Sequence, residues 1–274
     1  MNKTIGFLII LIITSCTTIE IEERSIFDAH PTITTGTFDY EGVTLHQQIL
    51  STDDGEELVS WLIEHEDAAA TVLYLGGNGF LMVKSRPWLD VYTALPVNLI
   101  MIDYRGYGQS TGEPTVDGVK RDAESAYDFA SDYSERTETD LLIHGHSMGS
   151  LLATYLVNEF EATGYILESP ITNAEDLTRN IVPRFLRPFI RFDIPEAVRE
   201  QNNIQRVQHI EIPLLLLGGE NDNVTPFFMA EKLYEKSASE QKELVQIPAG
   251  GHNDLPFDSA YRDAVKEFIE NRVN

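Results

Sequence analysis

The sequence predicts an α/β fold in which a mostly parallel central sheet, with antiparallel N-terminal strands, is covered by helices on both faces. Three observations support this prediction. Short aliphatic runs, typical of central parallel strands, alternate along the chain with segments of helical period. Hydrophobic residues make up 42% of the chain, so the net charge of −24 does not indicate disorder. A length of 274 residues suits one large domain.

The first elements form an antiparallel start. Residues 42–50 and 58–63 alternate between apolar and polar side chains, and they flank an Asp-Asp-Gly sequence at residues 53–55 that is typical of a hairpin turn. Parallel strands are then expected at residues 72–75, 99–102, 141–143, 165–167, 214–217 and 244–247. Helices are expected at residues 116–133, 148–160, 229–236 and 259–272.

The N-terminal residues have the pattern of a bacterial lipoprotein signal. Lys3 precedes an apolar run at residues 5–13, which is too short to cross a bilayer but fits an export signal. The single cysteine, Cys16, ends a sequence that resembles a lipobox, whose cysteine is acylated after cleavage. We expect a signal peptide at residues 1–15, then a lipidated N-terminus and flexible tether at residues 16–37. An ordinary signal peptide with an incidental cysteine is the alternative.

Charge and anchoring limit the partners. Nucleic acid is excluded, because 44 acidic against 20 basic side chains leave no general basic character for a phosphate backbone. A lipidated Cys16 makes the membrane the expected partner. Thr17 is not an aspartate, and by the sorting habit of Gram-negative lipoproteins this favours the periplasmic face of the outer membrane in such a host. The oligomeric state is left open.

The pattern G-x-S-x-G occurs twice, at residues 108–112 and 145–149. A nucleophilic serine of this pattern lies on a tight turn between a strand and a helix, where helix amides face a developing oxyanion. Ser147 meets this condition, because an aliphatic run precedes it and an apolar helical stretch follows it. Ser110 is followed by a glycine and a proline that delay the next helix. Ser147 is therefore the candidate nucleophile, and Ser110 is interpreted as a loop residue.

A candidate base follows from chain order and position. In a sheet with such a serine, the acid and the histidine come later in the chain than the nucleophile. His209 and His252 are the histidines after Ser147. His209 precedes a strand, whereas His252 follows one in a glycine-rich loop, at the end of the sheet where ligands bind. His252 is therefore the candidate base.

The acid that orients His252 is expected in the loop after residues 214–217. That loop contains Glu220 and Asp222. Asp222 is preferred because it ends the turn, and its carboxylate would hold the imidazole in the required tautomer. Glu168, which follows another predicted strand, is the rival site; we interpret it as a loop residue that forms hydrogen bonds beside Ser147.

An oxyanion hole requires two backbone amides. One comes from Met148, the residue after the nucleophile, and the other from the glycine-rich loop after residues 72–75. Asn78 is the preferred donor in that loop, with Gly79 as the alternative. The loop lacks the lysine of a phosphate-binding motif and the spacing of a dinucleotide-binding motif, so no cofactor and no metal are expected.

Together these motifs resemble the α/β-hydrolase superfamily. The resemblance is carried by residues 77–78, 103–114, 145–149, 220–226 and 251–252. It covers about residues 43–268 and is to small-lid serine hydrolases, among them the acyl-protein-thioesterase-like and dienelactone-hydrolase-like members. It implies a hydrolase domain at residues 38–274 that cleaves a carboxylic ester or thioester of a small-molecule or lipid-like acyl group through an acyl-enzyme. Many relatives have histidine at the positions of Gly76 and Gly218, a difference that affects substrate positioning more than catalysis.

A cap inserted at residues 171–209 is expected to select the substrate. Basic and aromatic side chains are interleaved in this segment, at Arg179, Arg184, Phe185, Arg187, Phe189 and Arg191. Two interpretations stay open. The cap packs on the site with its arginines paired to surface carboxylates, or it faces a membrane and contacts anionic head groups.

Two other functions stay open beside ester or thioester hydrolysis. A serine peptidase or amidase of the same fold uses the same residues. A noncatalytic binding protein anchored in the cell envelope would keep the fold without the chemistry.

Overall fold

A computed structural model of the chain describes residues 17–31, 38–157 and 159–271. The predicted signal peptide, the predicted lipidation site Cys16 and residues 32–37 of the predicted tether lie outside the described residues. Within the described ranges, no helix has the length and apolar character that crossing a bilayer requires.

Ten strands lie in the described part of the chain, and eight of them form one sheet. The strands are β1 (Thr17–Glu20), β2 (Val43–Ser51), β3 (Glu57–His65), β4 (Ala70–Leu75), β5 (Val97–Ile102), β6 (Asp140–His146), β7 (Gly164–Glu168), β8 (Ile190–Asp193), β9 (Leu214–Gly219) and β10 (Lys242–Ile247). The sheet has the order β10-β9-β7-β6-β4-β5-β3-β2. Strand β3 pairs antiparallel with β2 and β5, and the remaining pairs are parallel. This confirms the predicted α/β fold with antiparallel N-terminal strands.

Helices cover both faces of this sheet. The helices of the described residues are α1 (Arg86–Tyr92), α2 (Val116–Thr137), α3 (Met148–Leu156), α4 (Ala174–Ile181), α5 (Glu196–Arg199), α6 (Asn203–Arg206), α7 (Phe228–Lys236) and α8 (Ser259–Glu270). Helices α4, α5 and α6 belong to the cap, and the other five pack on the sheet. Helices α1 and α8 contribute Trp88 and Phe268 to one core layer. Helices α2, α3 and α7 contribute residues such as Tyr127, Leu152 and Leu233 to the other. Every residue of β4, β5 and β9 is buried, which explains their continuous aliphatic sequences.

The sheet opens a crevice at the carboxyl ends of its central strands. Strand β4 lies between β5 and β6, so the chain leaves β5 on one side of β4 and returns as β6 on the other. Loops that diverge at such a switch point leave room for a ligand. The loop after β4 contains Asn78, and the turn after β6 contains Ser147. The topology therefore brings these two predicted site residues to one edge.

The cap combines helices with a short strand. Helices α4, α5 and α6 and strand β8 lie within residues 171–209. Pro183 and Pro188 separate α4 from β8, and Pro195 immediately precedes α5. Because proline cannot continue a helix interior, the cap consists of short elements.

The prediction of a flexible tether is wrong for residues 17–31. Strand β1 pairs in parallel with β8 of the cap, with Thr17 opposite Ile190. Farther along, the side chain of Asn78 accepts a hydrogen bond from the Asp28 amide at 2.7 Å and donates one to the Ile26 carbonyl at 2.8 Å. The β-branched sequence of β1 favours a strand, and Asn78 satisfies the backbone that follows. These residues, called the N-terminal strap below, pack against the cap and the loop after β4.

Candidate active site

Ser147 lies on a sharp turn between β6 and α3. Its backbone has φ 53° and ψ −114°, a combination that disfavours a side chain. The turn is compact because the residues two positions before and two positions after Ser147 are glycines. A Cβ atom at Gly145 would collide with the carbonyl of Gly149, and one at Gly149 would collide with the carbonyl of Leu75. The G-x-S-x-G spacing therefore lets α3 approach β4 closely, with the serine at the tip of the turn.

The structure brings Ser147, His252 and Asp222 together in one hydrogen-bonded line. His252 Nε2 lies 2.9 Å from Ser147 Oγ. On the other side of the imidazole, Nδ1 lies 2.8 Å from Asp222 Oδ2. These side chains come from three separate loops, after β6, β9 and β10. Such an arrangement can move a proton from the hydroxyl to the imidazole while the carboxylate holds the ring in place.

Asp222 is held as a carboxylate. Its Oδ1 accepts hydrogen bonds from the amides of Val224 and Thr225, both at 2.8 Å, and Thr225 Oγ1 lies 2.9 Å from its Oδ2. Burial alone would raise the pKa of Asp222, but the hydrogen bonds from His252 and Thr225 outweigh it, so the pKa lies below its ordinary value. A charged carboxylate therefore faces His252 Nδ1 at neutral pH.

The two predicted oxyanion donors belong to segments that meet at Ser147. Met148 is the first residue of α3, where backbone amides have no partner within the helix. The loop that contains Asn78 passes close to Ser147, and glycine at position 77 permits this approach. A Cβ atom at Gly77 would lie only 3.1 Å from the Ser147 Cβ. The Asn78 side chain is already bonded to the N-terminal strap and to Tyr107. Its backbone amide therefore remains the candidate donor.

An apolar cavity of about 230 Å³ opens beside Ser147. The cap lines it with Leu177 and Val198, and the N-terminal strap contributes Ile26 and Phe27. The remaining lining residues are Asn78, Val116, Val119, Lys120, Met148, Leu151, Leu152, Ile171, Ala174, Gln201 and Val224. None of the described residues on this lining is acidic. The cavity therefore suits an apolar group attached to the carbonyl that Ser147 would attack.

His146 is a site residue that the sequence reasoning missed. Its Nε2 lies 3.0 Å from the backbone carbonyl of His252. A carbonyl only accepts, so Nε2 carries the proton and donates. Burial lowers the pKa of His146, although the Glu168 carboxylate acts in the opposite direction. A neutral His146 thus fixes the loop of His252, and its place inside G-x-S-x-G was the only sequence signal for this role.

Glu168 does not orient His252. It is the last residue of β7, fully buried, and its Oε2 accepts hydrogen bonds from Trp88 Nε1 and the Tyr261 hydroxyl, both at 2.9 Å. His144 Nε2 lies 3.1 Å from the same oxygen. Burial opposes the charge of Glu168, but the two histidines and the Trp88 hydrogen bond lower its pKa below the ordinary value. Glu168 is therefore a buried strand-end residue beneath the site, and not the loop residue that the sequence suggested.

Comparisons with known proteins agree with this architecture. The family described as serine aminopeptidase S33 matches residues 93–192, and the family described as TAP-like protein matches residues 193–272. Protein bem46 of Schizosaccharomyces pombe is 30% identical over 232 residues, which cover 82% of this chain and 77% of bem46. Membrane protein YNL320W of Saccharomyces cerevisiae is 28% identical over 239 residues, which cover 84% of this chain and 81% of that protein.

A solved structure shares the fold. The esterase Pf2001 of Pyrococcus furiosus superposes with a TM-score of 0.72, covering 90% of this chain and 98% of the esterase chain. The sequences are 21% identical over this superposition, so the likeness concerns the fold alone.

Proposed function

We propose that this chain, which belongs to the α/β-hydrolase family of protein bem46, cleaves carboxylic ester or thioester bonds through an acyl-enzyme formed on Ser147. The observation that carries the proposal is the unbroken line of hydrogen bonds from Ser147 through His252 to Asp222 at the wall of an apolar cavity. The fold neighbour from Pyrococcus furiosus is named an esterase, which agrees with this chemistry.

In the proposed reaction, His252 Nε2 takes the proton of Ser147 as the hydroxyl oxygen attacks the acyl carbonyl. The amides of Met148 and Asn78 stabilise the oxyanion. His252 then gives the proton to the leaving alcohol or thiol, whose bond to the acyl carbon breaks. Water, deprotonated by His252, then adds to the acyl carbon. The bond between that carbon and Ser147 Oγ breaks, His252 returns the proton to Oγ, and the carboxylic acid leaves. Asp222 keeps Nδ1 protonated and stabilises the imidazolium at both stages.

An aminopeptidase is the second candidate, because the matching family over residues 93–192 is described as serine aminopeptidase. Recognition of a free α-amino group calls for a carboxylate near the site. The described lining of the cavity has no carboxylate and has Lys120 as its charged member. Lys120 is paired with Asp117 at 3.3 Å, so the apolar lining rather than this charge disfavours an ammonium group. The lining suits an apolar acyl chain, which supports the ester or thioester over the peptide.

The decisive experiment is covalent labelling of the purified protein with a fluorophosphonate probe. We expect rapid labelling of the wild type and none of Ser147→Ala. Ser110→Ala is the matched control, since it removes the serine of the other G-x-S-x-G sequence, whose hydroxyl is bonded to the Asp103 carbonyl. Equal labelling of wild type and Ser147→Ala would refute the assignment of the nucleophile.

A substrate panel separates the two candidate enzymes. Nitrophenyl esters and thioesters of increasing acyl length are compared with aminoacyl anilides. We expect turnover of the esters and thioesters, with a dependence on acyl length, and none of the anilides. Faster cleavage of the anilides would favour the aminopeptidase.

We propose further that Cys16 is acylated and holds the enzyme on the bacterial cell envelope, at the periplasmic face of the outer membrane in a Gram-negative host. The apolar run at residues 5–13 and the sequence before Cys16 support this. Mass spectrometry of the purified protein is expected to find a diacylglycerol thioether on Cys16. Cys16→Ser should abolish the modification and release the protein from the membrane fraction.

A further inference from the structure

The cap carries an exposed surface of apolar and basic side chains. This surface, called the cap patch below, consists of Ile181, Arg184, Phe185, Arg187, Phe189 and Arg191. Its three apolar members are 71%, 73% and 43% exposed in chain order. Large apolar side chains grouped in this way on a surface mark an interaction site rather than the scattered exposure of an ordinary monomer.

Two arginines of the cap patch, Arg184 and Arg191, are exposed and available to a ligand, and Arg187 is half-buried. Among the described residues, no carboxylate lies within 4.0 Å of any of them. Arg187 donates from Nε to the Val182 carbonyl at 3.1 Å, and Arg184 and Arg191 are exposed. One interpretation of the sequence required these arginines to pair with surface carboxylates. They do not, although the chain has 44 acidic side chains. The positive charge of the patch therefore faces solvent.

Helix α4 joins the cap patch to the cavity. Ala174 and Leu177 of this helix line the cavity. Ile181 lies four residues after Leu177 and so on the same face of the helix, but outside the cavity in the patch. Near that end of the helix, Asn180 Nδ2 donates to the Asn223 carbonyl at 2.9 Å, and the next residue, Val224, is exposed and lines the cavity. Apolar side chains therefore lie both on the cavity wall and at the surface along this face of α4.

The N-terminal strap brings the start of the mature chain to the same place. The Thr17 amide donates to the carbonyl of Phe189 at 2.7 Å. The residue that precedes Thr17 in the sequence is Cys16, the proposed lipidation site. At the other end of the paired strands, Glu20 lies opposite Asp193. The end next to Cys16 is thus apolar and basic, whereas the far end is acidic.

From these observations we propose that the cap patch docks on an anionic lipid bilayer and opens the cavity to the acyl chains of lipids in that bilayer. The substrate class is then a bilayer-resident acyl ester, a part of the inference that rests on the proposed function. Charge determines the orientation, because a molecule with a net charge of −24 is repelled by anionic lipid except where its arginines face the surface. The exposed phenylalanines enter the interfacial region, as in other monotopic proteins.

Fluorescence tests the docking without relying on activity. The native Trp61 and Trp88 are buried, so a new surface tryptophan gives a separate signal. Full-length Phe185→Trp is mixed with vesicles of phosphatidylcholine and phosphatidylglycerol that contain bromine-labelled lipid. Phe257→Trp is the matched control, because Phe257 is 63% exposed and lies just before α8, outside the cap.

We expect a blue shift and at least twofold stronger quenching for Phe185→Trp than for Phe257→Trp, together with a loss of this difference on vesicles of phosphatidylcholine alone. Equal quenching of the two variants on the anionic vesicles would overturn the docking proposal. If Phe185→Trp is quenched more strongly than Phe257→Trp by the same factor on anionic and on phosphatidylcholine vesicles, the role of the arginines would be overturned.

A charge-matched pair of variants links docking to the substrate. Arg184→Gln/Arg187→Gln/Arg191→Gln is compared with a control that replaces Arg86, Arg136 and Arg262 with glutamine and so changes the net charge equally. The measured quantity is the rate on an ester embedded in anionic vesicles divided by the rate on a short soluble ester. We expect at least a fivefold lower ratio for the cap variant, and an unchanged ratio for the control. An equal ratio in both would refute substrate delivery by the patch. If neither ester is cleaved by the wild type, the proposed function fails, while the tryptophan quenching still decides the docking.

Discussion

At position 147 the backbone holds a conformation that suits glycine better than serine. The positive φ of 53° exposes the hydroxyl at the tip of the turn, and such backbone strain is common at functional sites. A Cβ atom at Gly145 or at Gly149 would collide with a backbone carbonyl, so the turn is closely packed on both sides of Ser147. The strain at Ser147 is therefore a stability cost that the proposed chemistry requires.

Replacing Ser147 with glycine should relieve this strain. We expect Ser147→Gly to be more stable to urea than Ser147→Ala by about 1 kcal/mol, because glycine adopts positive φ at little cost. Both variants should lose fluorophosphonate labelling. A glycine variant that is less stable than the alanine variant would show that the turn is not strained.

Asp103 gives the fold a dependence on pH. Its carboxylate is buried and accepts a hydrogen bond from the Met82 amide at 2.8 Å. Burial raises the pKa of Asp103 to about 6, although that hydrogen bond acts in the opposite direction. In the unfolded chain the pKa of an aspartate is about 4. Between these pH values the folded state binds more protons, so this residue's contribution to stability falls as the pH rises from 4 through 6.

Asp103→Asn should therefore stabilise the protein at pH 8 by about 1–3 kcal/mol, and the gain should disappear as the pH falls toward 4, where the wild-type side chain is also neutral. Urea unfolding at several pH values measures both. Asp39→Asn, the same exchange at an exposed position outside the core, serves as the control. A gain from Asp103→Asn that is the same at pH 8 and pH 4 would contradict this account.

At the scale of elements, the central strands could be predicted from the sequence because burial on both faces requires continuous aliphatic runs, as in β4 and β9. The turn at Ser147 could also be predicted, because its glycines and the strand and helix on either side of it are adjacent in the sequence. Strands β1 and β8 could not be predicted, because each has only four residues, which are too few to show an alternating pattern of apolar and polar side chains. Their pairing, and the burial of Glu168 beneath the site, depend on contacts between distant parts of the chain.

The N-terminal strap forms a wall of the cavity, so it should influence acyl selection. Phe27→Ala removes a large side chain from this wall, and we expect the optimum of kcat/KM to move to longer or bulkier acyl chains. A panel of esters from short to long chains measures the shift. Phe257→Ala, which changes an exposed phenylalanine outside the cavity, should keep the wild-type optimum. An unchanged optimum for Phe27→Ala would remove the strap from the binding site.

At the scale of the whole molecule, the net charge of −24 should discourage anionic soluble substrates. We expect kcat/KM for an acyl-coenzyme A, an anionic thioester, to rise several-fold between ~10 mM and ~200 mM salt, because salt screens the repulsion. The matched neutral substrate is the N-acetylcysteamine thioester of the same acyl group, whose rate should change little. A falling rate for the coenzyme A thioester would show that the arginines of the cap patch, and not the net charge, dominate the electrostatic field that this substrate meets.

The pairing of β1 with β8 also has a mechanical consequence. A pull on the N-terminal end of the described chain is first borne by the few hydrogen bonds of this short ribbon, among them those from Thr17 to Phe189 and from Ile21 to Asp193. The eight-stranded sheet lies behind it and is far stronger. Tension at the proposed lipid anchor would peel the strap from the cap, moving Ile26 and Phe27 before any central strand yields. The cavity wall is thus the part of the enzyme that responds first to force.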